Sequence, residues 1–197
     1  MEAPGPQGPW EHRQVMPKAI RTFRTRVRGL WSPRHEILDD EGNTLGTLYV
    51  RRNRWGMVIG GEFRPEKGEV LSFERNPGLL RGQFSLWTDH REWLGSSLRP
   101  HPARRQIDVW TGGKPYRIVP RTGLRRGWRV VATKTGEVAD LQVGWFGRGT
   151  RIQLNRKMDL ELLLFCYFLG SMVLLESILP TSLDALDQGG APAASKA

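Results

Sequence analysis

Cysteine is nearly absent from this sequence, since Cys166 is the single one among 197 residues. One thiol can form no disulfide within the chain and no cysteine-based metal site. This cysteine content is compatible with a reducing compartment. Histidine is also scarce, and residues 12, 35, 90 and 101 are not spaced as a helical metal-binding pair. The sequence therefore predicts no metal and no cofactor.

Motifs for catalysis are missing as well. The sequence has no GxSxG elbow and no Walker loop, and the glycine-rich stretch 110–114 joins two predicted strands instead of opening a helix. The acidic residues Asp39, Asp40 and Glu41 could bind Ca²⁺ loosely, but a solvated hairpin tip suits them better. We therefore predict a protein that is not an enzyme and takes no small-molecule substrate.

The two ends of the sequence have little to bury. The N-terminus lacks a basic leader followed by an apolar segment, so we expect no secretory signal peptide. Residues 1–12 are rich in proline and glycine, and residues 181–197 follow Pro180 with few apolar side chains. The predicted organisation is a flexible arm over 1–12, one domain over 13–180 and a flexible tail over 181–197.

Long hydrophobic runs are absent except for one, over residues 160–179, which is apolar on every side of a helix. Such a helix must be surrounded by lipid or by the protein itself. The uninterrupted apolar stretch, 162–175, is bounded by Glu161 and Glu176, and it is shorter than the roughly 20 residues of a membrane span. A buried core helix over 159–179 is the favoured interpretation. The alternative is a C-terminal membrane anchor that uses 160–179 as a span, because Arg156 and Lys157 would satisfy the positive-inside rule.

The rest of the domain has an all-β pattern. Short runs rich in β-branched and aromatic residues alternate with Gly, Pro, Asn and Asp. Closing the strands into a barrel removes the exposed edges, and a lumen wider than that of about 8 strands needs a filling. The predicted fold is therefore all-β with one helix, a closed antiparallel barrel of about twelve strands around a central hydrophobic C-terminal α-helix. The twelve predicted strands are 21–27, 35–38, 44–50, 56–63, 70–74, 82–88, 93–98, 106–110, 115–119, 127–132, 138–143 and 152–154.

Two segments resemble a known family. In 149–164 a final strand leads to Asp159, which opens the apolar helix, and Glu176 would end that helix; the hairpin 37–46 is similar too. These features resemble the tubby C-terminal-like superfamily, which includes tubby, LURP-one-related and phospholipid scramblase proteins. The resemblance implies a twelve-stranded barrel around a hydrophobic helix, and it suggests phosphoinositide binding as in tubby domains. Scramblases carry an acidic segment before the helix, whereas this chain has Arg148, Arg151, Arg156 and Lys157 there, so calcium-dependent scrambling is not expected.

Charge gives the clearest indication of function, because the formal net charge is +10. In an up-and-down barrel, connections 28–34, 51–54, 75–81, 99–105, 121–126 and 147–151 emerge at the same end. They contain fifteen arginines and no acidic residue. We call this the arginine end, and Trp31, Trp55, Trp128 and Trp145 lie in or beside the same connections. A field of one sign is costly unless a partner offsets it, and the planar guanidinium suits phosphate.

The sequence therefore predicts a binding module for anionic phosphate groups, most plausibly acidic phospholipid headgroups, with a cytoplasmic location and a peripheral place at the inner membrane face. Nucleic acid is an alternative partner for the same arginines, and a protein-interaction scaffold is a second alternative. The candidate anion- and lipid-binding residues are Arg51, Arg52, Arg54, Arg104, Arg105, Arg121, Arg125, Arg126, Arg148 and Arg151.

Overall fold

The computed structural model describes residues 22–29, 34–54, 56–76, 83–99, 106–121, 126–144 and 149–173. Twelve strands precede one helix in this part of the chain. Each predicted run coincides with one strand, and the bounds differ by at most three residues. The strands are β1 (Thr22–Arg28), β2 (Arg34–Leu38), β3 (Thr44–Arg52), β4 (Val58–Pro65), β5 (Leu71–Arg75), β6 (Phe84–Thr88), β7 (Trp93–Leu98), β8 (Ile107–Thr111), β9 (Tyr116–Pro120), β10 (Gly127–Ala132), β11 (Gly136–Val143) and β12 (Gly149–Leu154).

The sheet is a closed barrel in which every strand pairs with its neighbours in sequence. All the pairings are antiparallel, and the barrel closes where β1 meets β12, with Thr22 opposite Gln153 and Arg26 opposite Gly149. Closure satisfies the backbone groups that an open edge would leave exposed. The predicted fold class, a twelve-stranded antiparallel barrel with a C-terminal helix, is confirmed.

Side chains alternate between the interior and the outer wall. Along β10, Trp128, Val130 and Ala132 are buried while Arg129 and Val131 between them are only half-buried. Strands with this period of two place their apolar residues on one face. The inward side chains of all twelve strands form a single hydrophobic cluster with the helix.

The hairpin tip that joins β2 to β3 is held by its own residues. Asn43 donates its backbone N–H to Asp39 Oδ1 at 2.7 Å, and Gly42 takes a φ of 91°, which an L side chain rarely adopts. No group of three or more His, Cys, Asp or Glu that could hold a metal occurs among the described residues. Asp39 takes part in forming the turn.

The C-terminal helix lies inside the barrel. The α-helix α1 (Leu160–Phe168) begins after Asp159 at its N-cap, whose side chain makes no capping hydrogen bond, and it continues as a π-helical turn, Leu169–Val173. Every residue of 162–169 is buried. The Phe73 ring stacks on the rings of Phe165 and Phe168, with centroids 5.9 and 4.9 Å away. The prediction of a core helix is confirmed for these residues.

The described part of the chain contains no helix that is both long and apolar enough to cross a membrane. The predicted end of the helix at Glu176, the arm 1–12 and the tail 181–197 lie outside the described residues. The change from α to π geometry at Leu169 was not predicted.

Two glycines let the helix fit inside the barrel. A Cβ atom added to Gly170 would collide with the indole of Trp128, and one added to Gly61 on β4 would lie 2.9 Å from Phe168 Cε2. Since protein interiors are close-packed, neither position has room for a side chain. Gly170 and Gly61 therefore set how closely the helix approaches the wall.

Candidate functional site

The connections that define the arginine end emerge at the same end of the barrel. Because all neighbouring strands are antiparallel and consecutive, alternate connections emerge at opposite ends. The described connection residues at the arginine end include no acidic residue, whereas those at the other end include Asp40, Glu66 and Asp89. Four described arginines lie in these connections, and six more lie on the strand ends beside them, where the acidic residues Glu36, Glu74 and Asp108 also lie. The ten arginines are Arg28, Arg34, Arg51, Arg52, Arg54, Arg75, Arg99, Arg121, Arg126 and Arg151.

Six of the ten predicted site residues are among these ten arginines. Arg51, Arg52, Arg54, Arg126 and Arg151 are exposed, and Arg121 is half-buried. The other four lie outside the described residues, namely Arg104, Arg105, Arg125 and Arg148.

The hairpin between β3 and β4 carries three of the arginines. Asn53 donates its backbone N–H to the carbonyl oxygen of Met57 at 2.9 Å, and Met57 donates its N–H to Asn53 Oδ1 at 3.0 Å. Arg52 Nη1 donates to the carbonyl oxygen of Gly56 at 2.7 Å. These hydrogen bonds close the hairpin and place three arginines close together in sequence at the arginine end.

A second basic patch extends onto the outer wall and was missed by the loop-based prediction. Arg24 on β1 lies directly opposite Arg151 on β12, and both side chains are exposed. Like charges in directly opposite positions destabilise a sheet. Arg24, Arg26 and Arg28 occupy alternate positions of β1, so their period of two could have placed them on one face.

Arg28 and Arg121 at the arginine end already have acidic partners. Arg28 Nε lies 2.9 Å from Glu36 Oε1, and Arg121 Nη1 lies 3.3 Å from Asp140 Oδ2. The Arg121 side chain is only 17% exposed, so it differs from the other described candidates. Arg121 therefore lines a partly enclosed recess of charged side chains, whereas Arg51 and Arg126 are exposed.

Trp128 does not belong to the surface of the arginine end. It is 4% exposed and packs on Tyr167, with ring centroids 6.3 Å apart. Its placement beside the arginines was wrong because the period of two in β10 turns it inward with Val130. Trp31, Trp55 and Trp145 lie outside the described residues.

Beneath the arginine end, the interior of the barrel contains a polar network. His35 Nδ1 is 2.7 Å from the hydroxyl of Tyr167, which in turn donates to Thr25 Oγ1 at 3.1 Å. Thr25 Oγ1 also accepts the backbone N–H of Thr150 at 2.9 Å. Burial, helped by the nearby charge of Arg52, lowers the pKa of His35 from 6.5 to about 4.

Two further titratable groups lie on the central helix and are buried. Burial raises the pKa of Tyr167, against the smaller opposing effect of its hydrogen bonds, and burial alone raises the pKa of the Cys166 thiol. The thiolate, which is the nucleophilic form, is therefore strongly disfavoured. Cys166 acts as a small apolar side chain of the core.

Comparison with known proteins is informative only at the level of fold. No family model matches the chain, and no curated protein matches it in sequence. A solved structure, that of protein AT5G01750 from Arabidopsis thaliana, is similar over 86% of this chain and 93% of its own, with a TM-score of 0.50 and 15% sequence identity. The chain therefore shares its overall fold with this plant protein.

Proposed function

We propose that this protein is a non-enzymatic member of the tubby C-terminal-like superfamily that binds anionic phosphate groups through its arginine end. Acidic phospholipid headgroups at the cytoplasmic face of a membrane are the proposed ligands. The resemblance of segments 149–164 and 37–46 to that superfamily and the shared barrel fold support the proposed membership.

The observation that carries the proposal is the concentration of ten described arginines at one end of a closed barrel. Mutual repulsion among guanidinium groups opposes folding, and an anionic partner would relieve it. Guanidinium groups bind phosphate oxygens through two parallel hydrogen bonds, which an ammonium cannot do. The proposed ligand-binding set consists of the exposed residues Arg51, Arg54, Arg126 and Arg151 of the arginine end, together with Arg24, which lies opposite Arg151 on the outer wall.

The test is sedimentation with vesicles of phosphatidylcholine alone and of phosphatidylcholine mixed with a phosphoinositide or phosphatidylserine. We expect binding only to the acidic vesicles and a fall in binding as salt is raised, because salt screens exposed charges. The variant Arg51→Glu with Arg126→Glu should lose most of this binding.

The matched control is Lys114→Glu with Lys134→Glu, which makes the same change in net charge at exposed positions of the opposite end. It should bind acidic vesicles as the wild type does. Equal losses in the two double variants would mean that net charge alone drives binding, and equal retention would remove the arginine end as the site.

Duplex DNA offered in the same salt series separates the nucleic-acid alternative from the lipid proposal. Phosphoinositide vesicles should compete DNA off the protein. Binding of DNA that acidic vesicles cannot displace would replace the lipid proposal by nucleic-acid binding.

A further inference from the structure

A small recess on the outer wall of the barrel has the composition of a binding site. It has a volume of about 140 Å³ and is lined by Arg121, Arg129, Glu137 and Asp140. The register of β10 on β11 places Arg129 directly opposite Asp140, and Arg121 follows the end of β9. These residues face away from the hydrophobic core, since Val130 and Leu141 next to them are buried inside the barrel.

The recess is unusual because charged groups are buried on an outer wall. The side chains of Arg121 and Asp140 are only 17% and 12% exposed, and Asp140 as a whole residue is 9% exposed. Removing charged groups from water is costly unless they are paired and hydrogen-bonded. The groups of such a cluster that lack a protein partner must be satisfied by bound water or by a ligand.

Internal pairing in the recess is incomplete. Asp140 Oδ2 accepts a hydrogen bond from Gln142 at 2.9 Å and lies 3.3 Å from Arg121 Nη1. Glu137 accepts from Asn155 at 2.8 Å and from Arg129 Nη1 at 3.4 Å. Three buried atoms nevertheless make no hydrogen bond within the protein. They are Asp140 Oδ1, Arg129 Nε and Arg121 Nη1, and the last of these is ion-paired with Asp140 Oδ2 without hydrogen-bond geometry.

These three atoms define what a ligand must offer. Two guanidinium N–H donors require acceptor oxygens, and one carboxylate oxygen requires an N–H or O–H donor. The lining has two positive and two negative side chains, so a ligand with both charges is matched better than a simple anion or cation. A phosphate has enough oxygens to serve two separate guanidinium groups while its ester carries a second group towards Asp140.

We propose that this recess binds a zwitterionic phosphate ester with a primary ammonium group, the chemistry of phosphoethanolamine. The phosphate accepts from Arg129 Nε and Arg121 Nη1, and the ammonium donates to Asp140 Oδ1. The source is either free phosphoethanolamine or the headgroup of phosphatidylethanolamine. The site uses different residues from the proposed ligand-binding set at the arginine end, so it does not depend on that function.

The first experiment titrates the full chain calorimetrically with O-phosphoethanolamine, O-phosphocholine and inorganic phosphate. Phosphocholine has the same charges, but its quaternary ammonium has no N–H to donate to Asp140. We expect phosphoethanolamine to bind at least about tenfold more tightly than phosphocholine, as the loss of one charged hydrogen bond predicts. Equal affinities, tighter binding of phosphate alone, or no binding of phosphoethanolamine would each overturn the proposal.

The second experiment uses Asp140→Asn, which keeps the shape of the side chain but removes its charge. This variant should lose the preference for phosphoethanolamine over phosphocholine. Asp108→Asn is the matched control, because Asp108 also pairs with an arginine on the outer wall, at 2.9 Å from Arg117, but does not line the recess. A preference retained in Asp140→Asn, or lost in Asp108→Asn, would overturn the assignment.

Vesicles distinguish the two sources. The Arg51→Glu with Arg126→Glu variant should still bind phosphatidylethanolamine in phosphatidylcholine vesicles if the lipid is the ligand. Binding of the free ester without any binding of these vesicles assigns the site to free phosphoethanolamine. This vesicle binding is measured in a variant that lacks two arginines of the arginine end. A negative result for the recess is therefore distinguishable from a negative result for the proposed function.

Discussion

The hydroxyl of Tyr167 on the central helix lies 2.7 Å from Nδ1 of His35 on the barrel wall. This contact joins residues that are 132 positions apart in sequence, and it is fully buried. An internal hydrogen bond between the wall and the helix fixes the depth and rotation of the helix more narrowly than apolar packing does.

His35 should make folding stability depend on pH. Its pKa is about 4 in the folded protein and 6.5 in the unfolded chain, so the unfolded chain binds the proton first as pH falls. The stability that neutral His35 provides is complete above pH 6.5 and is lost progressively down to about pH 4, by about 3 kcal/mol in total. Urea unfolding of the wild type and of His35→Gln, repeated from pH 7 to pH 4, measures this loss of unfolding free energy.

Other groups also titrate in this range, so the difference between the two proteins is the relevant quantity. The stability curve of His35→Gln should be flatter than that of the wild type. His90→Gln is the control, because His90 is exposed, and its curve should follow the wild type. Parallel curves for all three proteins would contradict the role of His35.

Removing the hydroxyl of Tyr167 should destabilise the fold although the ring remains. Tyr167→Phe leaves His35 Nδ1 and Thr25 Oγ1 without their shared partner in a buried place, which costs about 1–3 kcal/mol. Thermal and urea unfolding at neutral pH measure the change.

Tyr49→Phe is the matched control for this prediction. Tyr49 is half-buried on β3, and its ring, which faces the guanidinium of Arg64 at 5.2 Å, is retained in the variant. Its stability should change by less than about 0.5 kcal/mol, as for most surface substitutions. Equal effects of the two variants would show that the network carries no special stability.

A side chain at Gly170 should disturb the core. Gly170→Ala forces its methyl group against the Trp128 indole, and overpacking of this kind costs about 1–3 kcal/mol. Gly113→Ala is the control, since an added Cβ there meets nothing within 4 Å. Urea unfolding should separate the two variants, and near-wild-type stability of Gly170→Ala would contradict the close approach of Trp128.

Cys166 should react with thiol reagents only when the barrel opens. It is fully buried, and burial raises its pKa, so neither access nor thiolate is available in the folded protein. Because it is the single cysteine, its rate of reaction with a coloured disulfide reagent reports opening of the core directly. We expect very slow labelling in buffer and rapid labelling in denaturant, and fast labelling in buffer would contradict a closed barrel.

The strand positions could be predicted closely because their signals are local. Alternating apolar residues and glycine-containing turns lie within a few positions of each other, and Trp93–Leu98 and Gly127–Ala132 were predicted without error. The central helix was predictable from its uniform apolarity, since a twelve-stranded lumen needs filling. The π-helical turn at Leu169–Val173 could not be predicted from the sequence. It includes Gly170, which lies close to Trp128 on a strand that is distant in sequence.

The candidate site was predictable only in part. The topology places the arginine-rich connections at one end, as expected, because consecutive antiparallel strands leave no alternative. The Arg24 and Arg151 pair depends on the register between the first and last strands, and no local pattern fixes that register. The recess around Asp140 likewise depends on the register of β10 and β11, which shifts at an irregularity between Val130 and Val131.

The pairing of β1 with β12 also constrains how the protein is made. The sheet closes only when β1 pairs with β12, as Thr22 does with Gln153. The helix that fills the lumen follows β12 in sequence. During synthesis the first strands therefore have no complete core to join, and folding dominated by such distant contacts is slow and exposes strand edges. The barrel can therefore close only after the ribosome has synthesised and exposed the chain as far as β12.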